Sequence, residues 1–129
     1  MALAHFSNAF IRVTLNEVDG VPVVEVAGEI DLSTVPHFQR ILGEALDMGC
    51  RDVLVDLRNV SFIDSSGVGA LIGAKKRLLT NRGELHVVCG DDAARRRLGI
   101  AKLASIICLH ASPQEALDEI LGSAPDAGP

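Results

Sequence analysis

Two adjacent serines, Ser65 and Ser66, stand where a predicted strand gives way to a predicted helix, with Asp64 before them and Gly67 and Gly69 after. A helix N-terminus has unpaired N–H groups and a partial positive charge, so it stabilises a nearby anion. A serine there could cap the helix, attack an electrophile or accept a phosphoryl group. Asp64 could supply the cap itself, which would leave a serine hydroxyl available.

Nucleophilic catalysis would require a histidine base held near the serine. The chain has four scattered histidines, and none is obviously directed at Ser66: His5, His37, His86 and His110. The segment Asp64 to Val68 also departs from the G-x-S-x-G pattern of serine hydrolases. Phosphate-binding glycine loops are absent as well, so any phosphoryl group would come from a partner's nucleotide. The sequence therefore predicts no enzyme, no cofactor and no metal site.

Other residues have more than one interpretation. Asp31 follows a predicted strand, and strand ends of a parallel sheet meet at one edge, so it could join the serine site. It could equally cap the first helix, and the two roles are compatible. The glycines at 67 and 69 suggest close approach to the backbone, because each costs up to about 1 kcal/mol in a helix relative to Ala. Gly69 and Gly73 predict close helix-to-strand packing, and Arg95–Arg97 predicts a solvated helix face.

Alternating strands and helices should position these residues. Hydrophobic periodicity and turn residues predict strands near 10–15, 21–27, 53–57, 85–89 and 106–109, and helices near 34–48, 66–81, 92–98 and 112–121. The pattern predicts an α/β fold, with a mostly parallel five-stranded sheet, one antiparallel edge strand and about four helices. We expect one domain over 9–122, a flexible arm over 1–8 and a flexible tail over 123–129.

Composition narrows the classes of function. The chain has 129 residues, of which 48% are hydrophobic, enough for a core without disulfides. A net charge of −5 and 3% aromatic residues argue against nucleic-acid binding. Three widely spaced cysteines, Cys50, Cys89 and Cys108, predict neither a disulfide framework nor a zinc site, and a redox role stays open. With neither a signal peptide nor a membrane-length apolar run, we expect a cytoplasmic protein of unknown oligomeric state.

Two motifs carry a family resemblance: Gly28-Glu29-Ile30-Asp31, and later Phe62-Ile63-Asp64-Ser65-Ser66-Gly67-Val68-Gly69. Together they resemble the STAS domain family, and most of all the bacterial anti-sigma factor antagonists, over roughly residues 10–121. The resemblance implies the STAS fold and a partner that is both an anti-sigma factor and a serine kinase. Binding of that partner would free a sigma factor. Phosphorylation of Ser66 would end the complex, and a serine phosphatase would reverse it.

The resemblance also assigns the neighbouring residues. Asp31 corresponds to the acidic residue beside the phosphorylation site, and Asp64, Ser65, Gly67 and Gly69 are expected to shape the site or contact the partner. Ser65 is the second choice for the modified serine. Two alternatives remain: a STAS scaffold or transporter-associated subunit that is never phosphorylated, and a small serine hydrolase, which the missing base disfavours.

Overall fold

The computed structural model of the protein describes residues 2–122. It contains six strands: β1 (Ala4–Ser7), β2 (Ile11–Val18), β3 (Val21–Ile30), β4 (Asp52–Ile63), β5 (Glu84–Val88) and β6 (Cys108–His110). The four helices in these residues are α1 (Val35–Leu46), α2 (Ser65–Leu79), α3 (Asp92–Leu98) and α4 (Pro113–Gly122). A 3-10 helix over Ala101–Ser105 joins α3 to β6.

The strands form one mixed sheet in which spatial order follows chain order. The pairs β1–β2 and β2–β3 are antiparallel, whereas β3, β4, β5 and β6 run parallel. The β2–β3 hairpin turns at Asp19 and Gly20, whose φ angles of 51° and 84° match the conformation that Asp-Gly favours in hairpins. The predicted α/β fold, with a mostly parallel sheet and an antiparallel edge, is confirmed.

The sheet is covered by helices on both faces. Strand alternation directs one set of side chains toward α1 and α2, and there the main core forms around Phe38, Ile41, Leu57 and Leu71. The opposite face carries a smaller cluster of Val21, Val23, Leu54, Val88 and Ala116, the last of which belongs to α4. The two layers hold the carboxyl ends of β3 and β4 side by side.

The N-terminal segment differs from its prediction. Residues 4–7 form β1, which pairs with β2 from Ala4↔Leu15 to Ser7↔Arg12, so the prediction of a flexible arm over 1–8 is wrong there. Phe6 also stacks on the ring of His37 in α1, with ring centroids 3.8 Å apart. The sheet therefore has six strands instead of five. The predicted tail over 123–129 lies outside the described residues.

Strand β4 is longer than predicted, because it continues past Leu57 to Ile63. The extension includes a register shift against β3, at which Asp56 is buried and paired with the guanidinium of Arg58 at 2.9 Å. Because the Asp56–Arg58 ion pair interrupts the hydrophobic run, the run alone predicts too short a strand. The extra length brings β4 to the same edge as the end of β3.

Candidate functional site

Ser66 lies in the first turn of α2, and Asp64 is the N-cap of that helix. One carboxylate oxygen of Asp64, Oδ1, accepts the backbone N–H groups of Ser66 at 2.9 Å and Gly67 at 3.2 Å. The Ser66 hydroxyl donates to the same oxygen at 2.5 Å. Because Asp64 caps the helix, neither serine is needed as a cap, which is one of the possibilities that the sequence left open. Ser65 is exposed, and Ser66 is half-buried.

Asp31 directly follows β3, and its carboxylate accepts hydrogen bonds in a pattern similar to that of Asp64. Its Oδ1 accepts the backbone N–H groups of Ser33 at 2.9 Å and Thr34 at 3.1 Å, and the Ser33 hydroxyl donates to it at 2.7 Å. The carboxylate thus holds the turn that leads into α1, which agrees with its structural interpretation. Thr34 occupies the N-cap position, but its hydroxyl donates to the carbonyl of Glu29 at 2.8 Å instead of capping the helix.

The two turns lie next to each other at the carboxyl edge of the sheet. The backbone N–H of Asp64 donates to the carbonyl of Ile30 at 3.0 Å, so the residue before Asp31 is bonded directly to the cap of α2. The structure thereby brings the two acidic residues singled out in the sequence to one edge.

Both carboxylates stay ionised at neutral pH. The Ser66 hydroxyl, helped by the N–H groups of the helix start, lowers the pKa of Asp64 below its usual value. The Ser33 hydroxyl lowers the pKa of Asp31 in the same way. Among residues 2–122 no salt bridge reaches either group. The surface around Ser66 therefore already carries two negative charges without a basic partner.

The close approach predicted at both glycines of the motif is present at Gly67 and not at Gly69. Gly67 is buried, and a Cβ there would lie 2.6 Å from Ile63 Cγ1 and 2.7 Å from Ile30 Cγ2, so it allows α2 to pack on the ends of β3 and β4. Gly69 is exposed with open space at its Cβ position. Gly69 and Gly73 line a groove between α1 and α2, so the predicted helix-to-strand packing at these positions is wrong.

Large apolar side chains are exposed at the same edge. Leu32 follows Asp31 and is 77% exposed, Phe62 precedes Ile63 and is 49% exposed, and Phe10, just before β2, is 64% exposed. Phe10 accepts the Glu29 N–H through its carbonyl at 3.0 Å, and Glu29 is also the register partner of Phe62. We refer to Leu32, Phe62 and Phe10 as the apolar rim. The apolar rim was not predicted from the sequence, because its three residues come from separate segments.

The histidines are not arranged as a base for Ser66. His86 and His110 pair with each other on β5 and β6, while His37 stacks on Phe6 and His5 contacts the hydroxyl of Thr14. The pairing of His86 with His110 was also missed, because the two residues are far apart in the chain and meet only through strand order. Ser66 instead has Asp64 as its side-chain partner.

The remaining candidates are cysteines and arginines, which differ in burial. Cys89 is buried and Cys108 half-buried, and burial raises the pKa of both thiols, which makes them poor nucleophiles at neutral pH. Arg96 and Arg97 are exposed as predicted. Arg95 is half-buried, so the prediction of a solvated face is wrong for that residue.

Most of the chain matches a protein-family model. The family model described as STAS domain matches residues 12–116, which contain both turns of the site. This chain belongs to the STAS domain family.

Relatives within the STAS family bear regulatory names. The chain is 37% identical over 84 residues to the anti-sigma-B factor antagonist of Staphylococcus aureus, a match that spans 65% of this chain and 78% of the relative. An anti-sigma factor antagonist from Mycobacterium paratuberculosis superimposes with a TM-score of 0.78 at 28% identity, covering 90% of this chain and 99% of the other. The Bacillus cell fate determinant SpoIIAA in its phosphorylated form shares the fold, with a TM-score of 0.62 at 23% identity over 84% of this chain and 98% of the other.

The described helices of this STAS domain are short. Within residues 2–122 no helix is both long and apolar enough to cross a bilayer. The longest, α2, has 15 residues.

Proposed function

We propose that this STAS domain is an anti-sigma factor antagonist, that it binds an anti-sigma factor with serine kinase activity, and that phosphorylation of Ser66 ends the complex. The observation that carries the proposal is the Ser66 hydroxyl at the start of α2, bonded to Asp64 beside Asp31 and next to exposed apolar side chains. Such an edge combines a hydroxyl that a kinase could modify with a surface on which the kinase could dock.

The relatives support the choice of partner. An antagonist from Staphylococcus aureus shares 37% identity, and its name states that it acts against the anti-sigma-B factor. A similar name belongs to the Mycobacterium paratuberculosis protein with the same fold. An anti-sigma factor is therefore the class of partner that we assign to this chain. The proposed activity is regulatory and not enzymatic, and the absence of a histidine at Ser66 supports that choice.

Electrostatics supports the direction of the switch. A phosphate adds about −1.5 to −2 charges at neutral pH. On Ser66 it would replace the hydroxyl proton that is donated to Asp64 and add its charge to those of Asp64 and Asp31. The α2 N-terminus offsets part of that charge inside the protein, but a docked partner must also desolvate or match it. The unmodified form should therefore bind and the phosphorylated form should dissociate.

The assignment of Ser66 over Ser65 can be tested by mass spectrometry. The chain is incubated with ATP and a purified anti-sigma factor kinase from the same genome, and the phosphate is located on peptides. We expect one phosphate on Ser66, no phosphate on Ser66→Ala, and normal phosphorylation of the matched control Ser65→Ala. Phosphate on Ser65 would contradict the assignment, and binding without any phosphorylation would favour the scaffold alternative.

A further inference from the structure

Two buried histidines face each other beneath α4, on the side of the sheet opposite α1 and α2. His86 of β5 and His110 of β6 are each only 4% exposed, and His86 Nδ1 lies 3.1 Å from His110 Nε2. Glu119 of α4 reaches the same point, with its Oε2 3.6 Å from His86 Nδ1 and 3.1 Å from His110 Nε2. Three potential metal-ligand atoms from three elements thus form a nearly regular triangle.

The outer nitrogens of both rings face further carboxylates. His86 Nε2 lies 3.2 Å from Asp52 Oδ1, and His110 Nδ1 lies 3.7 Å from Glu115 Oε1. A neutral imidazole has one N–H and one lone pair. When each ring directs its N–H to the outer carboxylate, the lone pairs of both rings point inward. In that tautomeric arrangement two lone pairs and a carboxylate oxygen meet, and a cation between them would offset their repulsion.

We propose that His86 Nδ1, His110 Nε2 and Glu119 Oε2 bind a divalent transition-metal ion of the zinc type. Zinc binds histidine nitrogen and carboxylate oxygen at about 2.0–2.2 Å in tetrahedral geometry, which places ligand atoms roughly 3.3–3.5 Å apart. The observed separations of 3.1 to 3.6 Å bracket that range. Glu119 is 55% exposed on its side chain, so water has access to a fourth position.

The outer carboxylates strengthen the argument for a metal. Histidines that bind metals usually donate their second N–H to a carboxylate, which fixes the ring and makes the inner nitrogen more basic. Asp52 occupies that position for His86 at 3.2 Å, and Glu115 faces the corresponding nitrogen of His110 from 3.7 Å. The ion would join β5, the three-residue edge strand β6 and helix α4. This site lies on a different face from the groove of Gly69 and Gly73 and involves none of the residues around Ser66.

Zinc binding is measured on the full chain by competition with a chromophoric chelator. We expect one Zn²⁺ per chain and no competition from Mg²⁺ or Ca²⁺, which prefer oxygen ligands. Glu119→Gln should weaken binding by at least about tenfold, as losses around metal sites typically do. Asp118→Asn, which removes one charge from the neighbouring position of α4, is the matched control and should leave the affinity unchanged. Both residues are exposed, so circular dichroism should show that both variants fold.

The second measurement is of the nitrogen chemical shifts of the histidine rings. Long-range ¹H–¹⁵N spectra should show Zn²⁺ bound to His86 Nδ1 and His110 Nε2, with His5 and His37 unchanged as internal controls. Substitution by Co²⁺ should give no thiolate charge-transfer band, because the three proposed ligand atoms are two nitrogens and one oxygen. The proposal is overturned if the chain does not bind Zn²⁺. In that case a proton shared among His86, His110 and Glu119 would be the cation that offsets their repulsion. The proposal is also overturned by equal losses in both variants, or by ligation through cysteine or the other histidines.

Discussion

At the scale of single residues, the hydrogen bond from Ser66 to Asp64 determines how the site is prepared. The carboxylate caps α2 and at the same time holds the hydroxyl that we propose as the phosphoacceptor. One residue therefore links helix stability to the state of the serine. Phosphorylation of Ser66 would remove the hydroxyl proton from this bond and place a second anion beside Asp64.

The charge on Asp64 should make stability depend on pH. Its pKa is lowered in the folded protein, mainly by the Ser66 hydroxyl, relative to an unfolded value of about 3.9. The stabilisation is therefore present above the unfolded value and is lost as the pH falls through the folded value. Asn also caps helices but does not titrate, so Asp64→Asn is the control. Urea unfolding from about pH 5 to pH 3 should show a steeper loss for the native chain than for Asp64→Asn. Parallel curves would contradict the role of the ionised cap.

At the scale of elements, Gly67 fixes how closely α2 approaches the ends of β3 and β4. A methyl group at residue 67 would overlap the side chains of Ile63 and Ile30, whereas residue 69 has open space. The two glycines of one motif therefore act differently, and the sequence alone treats them alike.

Alanine substitutions separate the two glycines. Gly67→Ala should lower the free energy of unfolding by about 1–3 kcal/mol, because it overpacks the junction. Gly69→Ala should raise it by up to about 1 kcal/mol, because alanine is the better helix former and meets no obstacle. Urea denaturation measures both. Equal effects of the two substitutions would show that α2 does not depend on close contact at residue 67.

Several elements could be predicted from local patterns, and others could not. The Asp-Gly hairpin and the capping of α4 by Ser112, whose hydroxyl accepts the Glu115 N–H at 3.2 Å, depend only on neighbouring residues, so short sequence patterns are enough to predict them. Strand β1 was missed because its stability comes from pairing with β2, which no short window reveals. The His86–His110 pair and the apolar rim were missed for the same reason. Each forms only when distant segments meet.

At the scale of the whole molecule, the two proposed sites lie at different parts of the sheet. The proposed docking edge lies at the carboxyl ends of β3 and β4, whereas the histidine cluster lies under α4. The apolar rim of Leu32, Phe62 and Phe10 lies beside the ionised Asp31 and Asp64. A partner that binds there must accommodate both apolar and acidic groups.

Substitution of the rim tests docking without altering the serine. Leu32→Lys should weaken binding of the anti-sigma factor by at least about tenfold, because it removes an exposed apolar contact and introduces a charge into the interface. Leu79→Lys is the matched control, since Leu79 is 54% exposed at the other end of α2. Calorimetric titration measures both affinities. Both variants should unfold at the same temperature as the unsubstituted chain. Equal weakening by the two substitutions would place the docking surface elsewhere.

The most direct test of the account compares the affinity of the anti-sigma factor for two forms of this chain, unmodified and phosphorylated on Ser66. A phosphate about 6 Å from a negative charge of the partner, at an effective dielectric near 20, is repelled by roughly 3 kcal/mol, so we predict about a hundredfold weaker binding. Ser66→Ala should bind as the unmodified chain does and remain bound when ATP is present. Equal affinity of the unmodified and phosphorylated forms would contradict the account.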